Sequence, residues 1–372
     1  MYRLGIKKKV FGLRHSEQSK YFLFSPVPNS FIPILHLLIR SLSLSLSLSL
    51  RIALLLLDLV GSIITQVLKA KPPTFDVILL QFFFLFLMDR FCCFRGAYSQ
   101  SSAASSSLSG KGKSTQGHTK VSYGFSLIKG MTNHPMEDYH VADFVRTKGH
   151  DLAFFAIFDG HLGHNVPEYL QKNLFNNILR EEEFWTQPDR AIIKAYDKTD
   201  QAILSHRPDL GQGGSTAVTA ILVNGSQLWV ANIGDSRSVL LKGDDVFQMT
   251  TDHDPNADRS SIENKGGFVS NMPGDVPRVN GQLAVARAFG DRNLKSHLRS
   301  DPDIQVKEID HTAELLILAS DGLWKVMNNN EAVEIAKRSK DPQVAAKQLT
   351  AEALKRESKD DISCIVVRFK AQ

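Results

Sequence analysis

Cysteine is scarce: among 372 residues there are only Cys92, Cys93 and Cys364. Cys92 and Cys93 are adjacent and cannot form an ordinary unstrained bridge, and Cys364 sits inside the apolar run Ile362-Ser363-Cys364-Ile365-Val366-Val367. A disulfide framework is excluded, and the chain is expected inside the cell, cytoplasmic and/or nuclear. A stripe of lysine and arginine interleaved with aromatics is also missing. The formal charge of +5 is modest and spread along the chain, which argues against nucleic acid as a partner. Gly211-Gln212-Gly213-Gly214 lacks the G-x-G-x-x-G spacing and precedes a strand pattern, so it does not read as a nucleotide cradle. His161-x-x-His164 has no third nitrogen or sulfur ligand nearby, which argues against zinc.

Residues 1–87 differ from the rest. Residues 41–50 alternate strictly between Ser and Leu, as an in-frame TC dinucleotide repeat would encode, so one reading is translated non-coding sequence. The rival is a hydrophobic extension or membrane anchor, because residues 31–39, 52–68 and 77–88 are strongly apolar. Arg40, Arg51 and Asp58 interrupt the first two stretches, and the third falls well short of the roughly 20 residues a spanning helix needs. Met88-Asp89-Arg90-Phe91-Cys92-Cys93-Phe94 would make a reasonable amino terminus, and its paired cysteines suit reversible acylation. Membrane association is therefore expected only through this N-terminal segment or Cys92 and Cys93. Residues 99–118 are rich in Ser, Gly and Lys, with Leu108 as the single large apolar side chain, so 88–117 is expected to be a flexible segment ahead of a folded domain at 118–372.

Within that domain Phe154-Phe155-Ala156-Ile157-Phe158 runs straight into Asp159-Gly160-His161. An unbroken apolar run of this length reads as a strand buried on both faces. Asp-Gly alone is a turn signal, but the pattern recurs. Leu315-Leu316-Ile317-Leu318-Ala319-Ser320 ends on Asp321, Leu228-Trp229-Val230-Ala231-Asn232-Ile233-Gly234 ends on Asp235, Asp360-Asp361 precedes an apolar run, and Met136 precedes Glu137-Asp138. Carboxylates brought together at strand ends repel and raise one another's pKa, a conflict that a divalent cation removes. Oxygen ligands without matching histidines or thiolates suit Mg²⁺ or Mn²⁺.

The remaining patterns supply the frame. Val166, Tyr169, Leu170, Leu174, Ile178 and Leu179 share a helical face, and residues 191–203 repeat that character, predicting a helix pair over a sheet. Residues 216–223, 228–233 and 238–241 are short apolar stretches at hairpin spacing, predicting a largely antiparallel sheet. Asp254-Pro255 is expected to open a short helix closed by Gly266-Gly267, with a loop following at 271–281. Two helices at 331–337 and 343–356 and a strand at 362–369 complete the chain.

The ordered series Met136-Glu137-Asp138, Phe158-Asp159-Gly160-His161, Gly214-Ser215-Thr216-Ala217, Gly234-Asp235-Ser236-Arg237, Arg278-Val279-Asn280-Gly281, residues 283–291, Ala319-Ser320-Asp321-Gly322-Leu323-Trp324 and Lys359-Asp360-Asp361-Ile362-Ser363 resembles the type 2C metal-dependent serine/threonine protein phosphatases, above all a plant subgroup. It covers about residues 119 to 370. The resemblance implies an α+β fold, a four-layer α-β-β-α sandwich of two mainly antiparallel sheets flanked by helices. It also implies hydrolysis of phosphoserine and phosphothreonine in phosphoprotein substrates through water activated between two Mn²⁺ or Mg²⁺ ions; separately, the chain is expected to be a monomer. Carried over residue by residue, Asp159 bridges both ions, the Gly160 carbonyl ligates one, and Asp321 and Asp360 complete the other site. Glu137 and Asp138 line the cluster, directly or through water. His161 serves as general acid, or else only hydrogen-bonds a metal-ligating aspartate. Cys364 and Arg368 stand too close for the Cys-x5-Arg loop of thiol phosphatases.

The chain departs from the family pattern in places. Asn133 stands where relatives carry a phosphate-gripping arginine, and Lys129 or His134 offers no bidentate fork in its place. Lys325 replaces an aspartate linked to a third, weaker ion, so it is expected to weaken cation binding beside it and to leave Asp235 short of a partner. Asp361 replaces a frequent asparagine. The loss at Asn133 leaves a rival reading, a pseudophosphatase that binds phosphoproteins without hydrolysing them. A membrane interaction protein is a third reading that depends wholly on residues 1–87.

Overall fold

The computed structural model describes residues 107–131, 133–206 and 210–371. The apolar stretches before residue 88, the start at Met88 and the pair Cys92 and Cys93 lie outside the described residues. Two antiparallel sheets form the centre. The first, six-stranded, has the order β1 (Leu108–Gln116), β2 (Thr119–Ile128), β16 (Ile362–Ala371), β15 (Ala313–Ala319), β9 (Arg237–Lys242) and β10 (Asp245–Gln248). The second, five-stranded, has the order β14 (Asp303–Glu308), β8 (Gln227–Ile233), β7 (Ala217–Val223), β4 (His150–Phe158) and β3 (Tyr139–Thr147).

Strand β4 shows why two sheets stack. Its even positions Leu152, Phe154, Ala156 and Phe158 join an apolar cluster with helices α1 (Asn165–Arg180) and α2 (Pro188–His206). Its odd positions Ala153, Phe155 and Ile157 join a second cluster with Leu316 and Leu318 of β15 and Ile365 and Val367 of β16. Alternation thus buries both faces, and each large side chain so removed from water contributes about 1.5–3 kcal/mol. A third cluster joins Leu315, Ile317 and Ala319 of β15 to Ala332, Val333, Ala345, Ala346 and Leu349 on the far side. The last five belong to helices α5 (Asn329–Lys337) and α6 (Pro342–Lys355). Helices, sheet, sheet, helices: this is the expected four-layer sandwich.

The helices start where side chains satisfy their free N–H groups. Asn328 and Glu331 form a reciprocal capping box on α5, while Asp341 accepts from Gln343 N and Val344 N on α6, with Pro342 in the first turn. On α1 the buried residues Val166, Leu170, Leu174 and Ile178 recur at helical spacing against the sheet.

Two expectations need correction. Residues 108–116, read as flexible, are the edge strand β1, paired with β2 along its whole length. Its glycines look like linker composition but serve packing: Gly110 lies opposite Phe125 and Gly112 opposite Tyr123, where an added Cβ would come within 2.7 and 2.6 Å of the rings. Lysines on the exposed edge, among them Lys111 paired with Asp341 at 2.7 Å, discourage pairing with another chain. The helix expected from Asp254 begins only at Arg259, as α3 (Arg259–Asn264). Asp254 Oδ1 accepts from Asn256 N at 2.6 Å, a local turn that competes with helix formation. Beyond it, β11 (Val269–Ser270) and β12 (Arg278–Val279) pair as a small hairpin.

Three two-residue strands frame one end of the sandwich: β5 (Gly160–His161), β6 (Gly214–Ser215) and β13 (Phe289–Gly290), in the order β13-β6-β5. They bring three distant stretches of chain against the end of β4.

Candidate active site

Each acidic residue is placed by the end of a strand. Asp159 follows β4, with its backbone held by Thr216 N donating to Asp159 O at 2.9 Å. Asp235 follows β8 after Gly234, whose φ of +94° favours glycine and whose N–H donates to buried His253 Nδ1 at 3.0 Å. Asp321 follows β15 and opens a single helical turn, α4 (Asp321–Trp324), while Asp360 and Asp361 precede β16. The connections therefore deliver these residues to one end of the sandwich. One carboxylate oxygen each from Asp159, Asp235 and Asp321 lie within 4.8 Å of one another. They line a cleft of about 650 Å³ together with Asp138, Asp360, Asp361, His161, Arg278 and Lys325.

Crowding like charges out of water has the expected effect. Burial, then Asp138, Asp321 and Asp235, push Asp159 well above the usual carboxylate range. Burial and then Asp321 do the same to Asp235. Asp138, buried and 2.9 Å from the donating Ser320 hydroxyl, is pushed up to about 8 by burial, against hydrogen bonding from Ser363 and Ser320 and helped by the Asp361 and Asp321 charges. Burial also raises Asp321, although Lys325 pulls it down. Asp321 Oδ1 is buried and has no hydrogen-bond partner among the described residues. An oxygen-only donor set, mutual repulsion and an orphaned carboxylate oxygen all fit a hard divalent cation.

The other residues named from sequence fall around this group. Glu137 Oε1 accepts from Gly163 N at 2.7 Å and Oε2 lies 3.5 Å from His134 Nδ1, so Glu137 lines the cleft without joining the three convergent carboxylates. Gly160 lines it where no Cβ fits, since one would lie 2.6 Å from Glu137 O and from Pro167. Asp360 meets Lys325 at 3.0 Å. His161 Nε2 bonds Asp291 Oδ1 and Oδ2 at 2.9 and 2.8 Å, and Asp291 lies outside the convergent three. Asn133 is exposed and does not line the cleft; Arg278 and Lys325 are its cations.

Three roles escaped the sequence reading. Asp235 carries the same strand-to-aspartate signal as Asp159, and where Lys325 is expected to leave it short of a partner, Asp159 and Asp321 are its neighbours. Asp291 is buried directly after β13, and its contact with His161 depends on Gly214, where a Cβ would stand 2.1 Å from Asp291 Oδ2 and 2.5 Å from His161 Nε2. Asp361 accepts from Gly130 N at 2.7 Å and Glu137 N at 2.9 Å, clamping the segment that carries Glu137 and Asp138. Each N–H meets its own Asp361 oxygen, an arrangement that suits a carboxylate, since an asparagine amide would accept through its oxygen and turn an NH2 donor toward the other N–H.

A family model for protein phosphatase 2C matches residues 123–362. The chain belongs to the protein phosphatase 2C family. Probable protein phosphatase 2C 41 of Oryza sativa subsp. japonica is 76% identical over 283 residues, 76% of this chain and 100% of that protein. Probable protein phosphatase 2C 9 of Arabidopsis thaliana is 65% identical over the same share of both chains, 76% and 100%. Among solved structures, serine-threonine phosphatase 2C from Toxoplasma gondii superposes with a TM-score of 0.58 at 25% identity, covering 72% of this chain and 100% of that one. This protein phosphatase 2C chain is thus a protein-serine/threonine phosphatase acting on phosphoproteins, with plant relatives and an acidic group suited to the metal its family requires.

Proposed function

We propose that the cleft hydrolyses phosphoserine and phosphothreonine with two Mn²⁺ or Mg²⁺ ions held by Asp159, the Gly160 carbonyl, Asp321 and Asp360, with Asp235 as a further carboxylate. The observation that carries this reading is the meeting of Asp159, Asp235 and Asp321, one carboxylate oxygen of each within 4.8 Å of the others, with Asp321 Oδ1 left without a hydrogen-bond partner among the described residues. When bound, such ions supply Lewis acidity, activating water for in-line attack and offsetting charge on the phosphoryl oxygens. The chain's own groups do the rest. Asp138, held by Ser320, and Glu137, held by Gly163 N, fix the polar floor of the cleft. His161 gives a proton to the departing serine or threonine oxygen. Asp291 takes up Nε2, which leaves Nδ1, free of hydrogen bonds to other described residues, for that transfer. Arg278 and Lys325 give the cleft positive charge for the phosphate in the absence of an arginine at Asn133.

The test is phosphate release from a phosphothreonine peptide by the full chain, with Mn²⁺ or Mg²⁺ and then with EDTA. Release that stops with EDTA and is lost in Asp159→Asn supports the mechanism; release indifferent to both overturns it. The monomeric state, the cytoplasmic and/or nuclear location and any membrane attachment through Cys92 and Cys93 belong to the same proposal. Size-exclusion with light scattering reads the first. Fractionation of cells carrying the wild type and a Cys92→Ser/Cys93→Ser variant reads the others, and membrane recovery equal in both would remove the role of these cysteines.

A further inference from the structure

We infer that the Lys325 ammonium is a tethered cation that occupies the Asp321–Asp360 side of the carboxylate group until a divalent ion displaces it, so that the chain carries its own competitor for its metal.

The placement follows from local geometry. Lys325 caps the single turn α4, its N–H donating to Asp321 O at 2.8 Å. A residue four positions after Asp321 in a helical turn lies over the same face, and its side chain folds back toward the preceding turn. Its Nζ reaches Asp321 Oδ2 at 2.5 Å and Asp360 Oδ2 at 3.0 Å, bridging two acidic residues that the sequence separates widely. Lys325 thereby supplies, from within the chain, the positive charge that this pair would otherwise draw from solution.

The bridge is also reversible. The Lys325 side chain is 52% exposed, so the ammonium can swing into water on its flexible stem without opening the core. Its hold is one-sided. Lys325 covers Asp321 Oδ2, while Oδ1 of the same carboxylate is buried and has no hydrogen-bond partner among the described residues. An ion held chiefly by Asp159 and Asp235 need not disturb Lys325. An ion that draws on Asp360 must remove it, because the ammonium and the ion seek the same carboxylate. Metal loading at that side is thus an exchange of one cation for another, and its affinity is lowered by the stability of the ion pair it breaks.

This rests on the metal reading proposed above, and calorimetric titration of the full chain with Mn²⁺ separates the two. In Lys325→Met, which keeps an unbranched stem one atom shorter and removes the charge, the weaker Mn²⁺ step should tighten by about tenfold or more. Lys325→Arg, which keeps the charge, should stay within about threefold of wild type. A second readout is thermal unfolding. Without metal Lys325→Met should melt below wild type, since its carboxylates lose their cation, and with saturating Mn²⁺ it should match or exceed wild type. Equal or weaker Mn²⁺ affinity in Lys325→Met overturns the inference and leaves the metal reading intact. Absence of Mn²⁺ binding in every form overturns both.

Discussion

Strand β4 and the residue that follows it lie in opposite environments. From Leu152 to Phe158 every side chain is buried in apolar surroundings on one face or the other. One residue later, Asp159 sits among Asp138, Asp321 and Asp235 with its pKa driven far up. The strand interior gains free energy from burial; its end gives some back to hold like charges close. Stability and chemistry are thus separated along a single strand, the first written in its middle and the second at its tip.

That contrast is open to direct attack. The largest effect should come from the middle: Phe155→Ala removes a fully buried ring packed edge-on to Tyr123 at 5.6 Å and should cost about 3–5 kcal/mol in urea unfolding, with activity per folded molecule preserved. A large activity loss in the folded fraction would blur the division. At the tip the signs should reverse. Asp159→Asn should lose well over about 100-fold in kcat/KM, yet the metal-free protein should gain on the order of 1 kcal/mol, a rise of about 2–4 °C in Tm by scanning calorimetry. A fall in metal-free Tm would contradict the electrostatic account.

A smaller loss is expected at Gly214. The methyl of Gly214→Ala would strike Asp291 Oδ2 and His161 Nε2 and should cost about 1–3 kcal/mol, with kcat falling more than KM rises in steady-state assays.

Acidity sharpens the contrast further. Asp138 titrates near 8 in the folded protein against an ordinary 3.8, so between those values the native state holds the extra proton. Its contribution to metal-free stability is present at the acid side of this window and is lost as pH rises through about 8. A bound cation replaces that proton, so the Tm increment from saturating Mg²⁺ should be larger at pH ~8 than at pH ~5; an increment independent of pH would count against the crowding. The smallest effect belongs at the edge. The Lys111–Asp341 pair, with side chains 56% and 37% exposed, should lose under about 0.5 kcal/mol in Lys111→Ala, measured by chemical denaturation.

Much of this was legible in the sequence because burial writes in residue type. The apolar runs of β4, β15 and β16 and the helical stripe of α1 announce elements whose side chains must leave water, and the aspartates at their ends announce the site. Strand β1 was not legible, since its pairing surface is provided by Phe125 and Tyr123 on its neighbour and its own contribution is the room left by Gly110 and Gly112. Asp291 was hidden for a related reason. Its importance depends on the short strands β5, β6 and β13 bringing it to His161 from 130 positions away, and no local pattern encodes a meeting at that separation. Lys325 could be read as a departure from the family, but not as a bridge between two carboxylates.

Strand β16 follows every other strand of the described residues, yet it lies between β2 and β15 within its sheet, and Asp361 just before it clamps the backbone at Gly130 and Glu137. A growing chain on the ribosome holds every earlier strand before it holds this one. The reaction centre is therefore completed only once β16 has been made, and a product truncated ahead of Asp360 would be left with an open sheet as well as an unfinished catalyst.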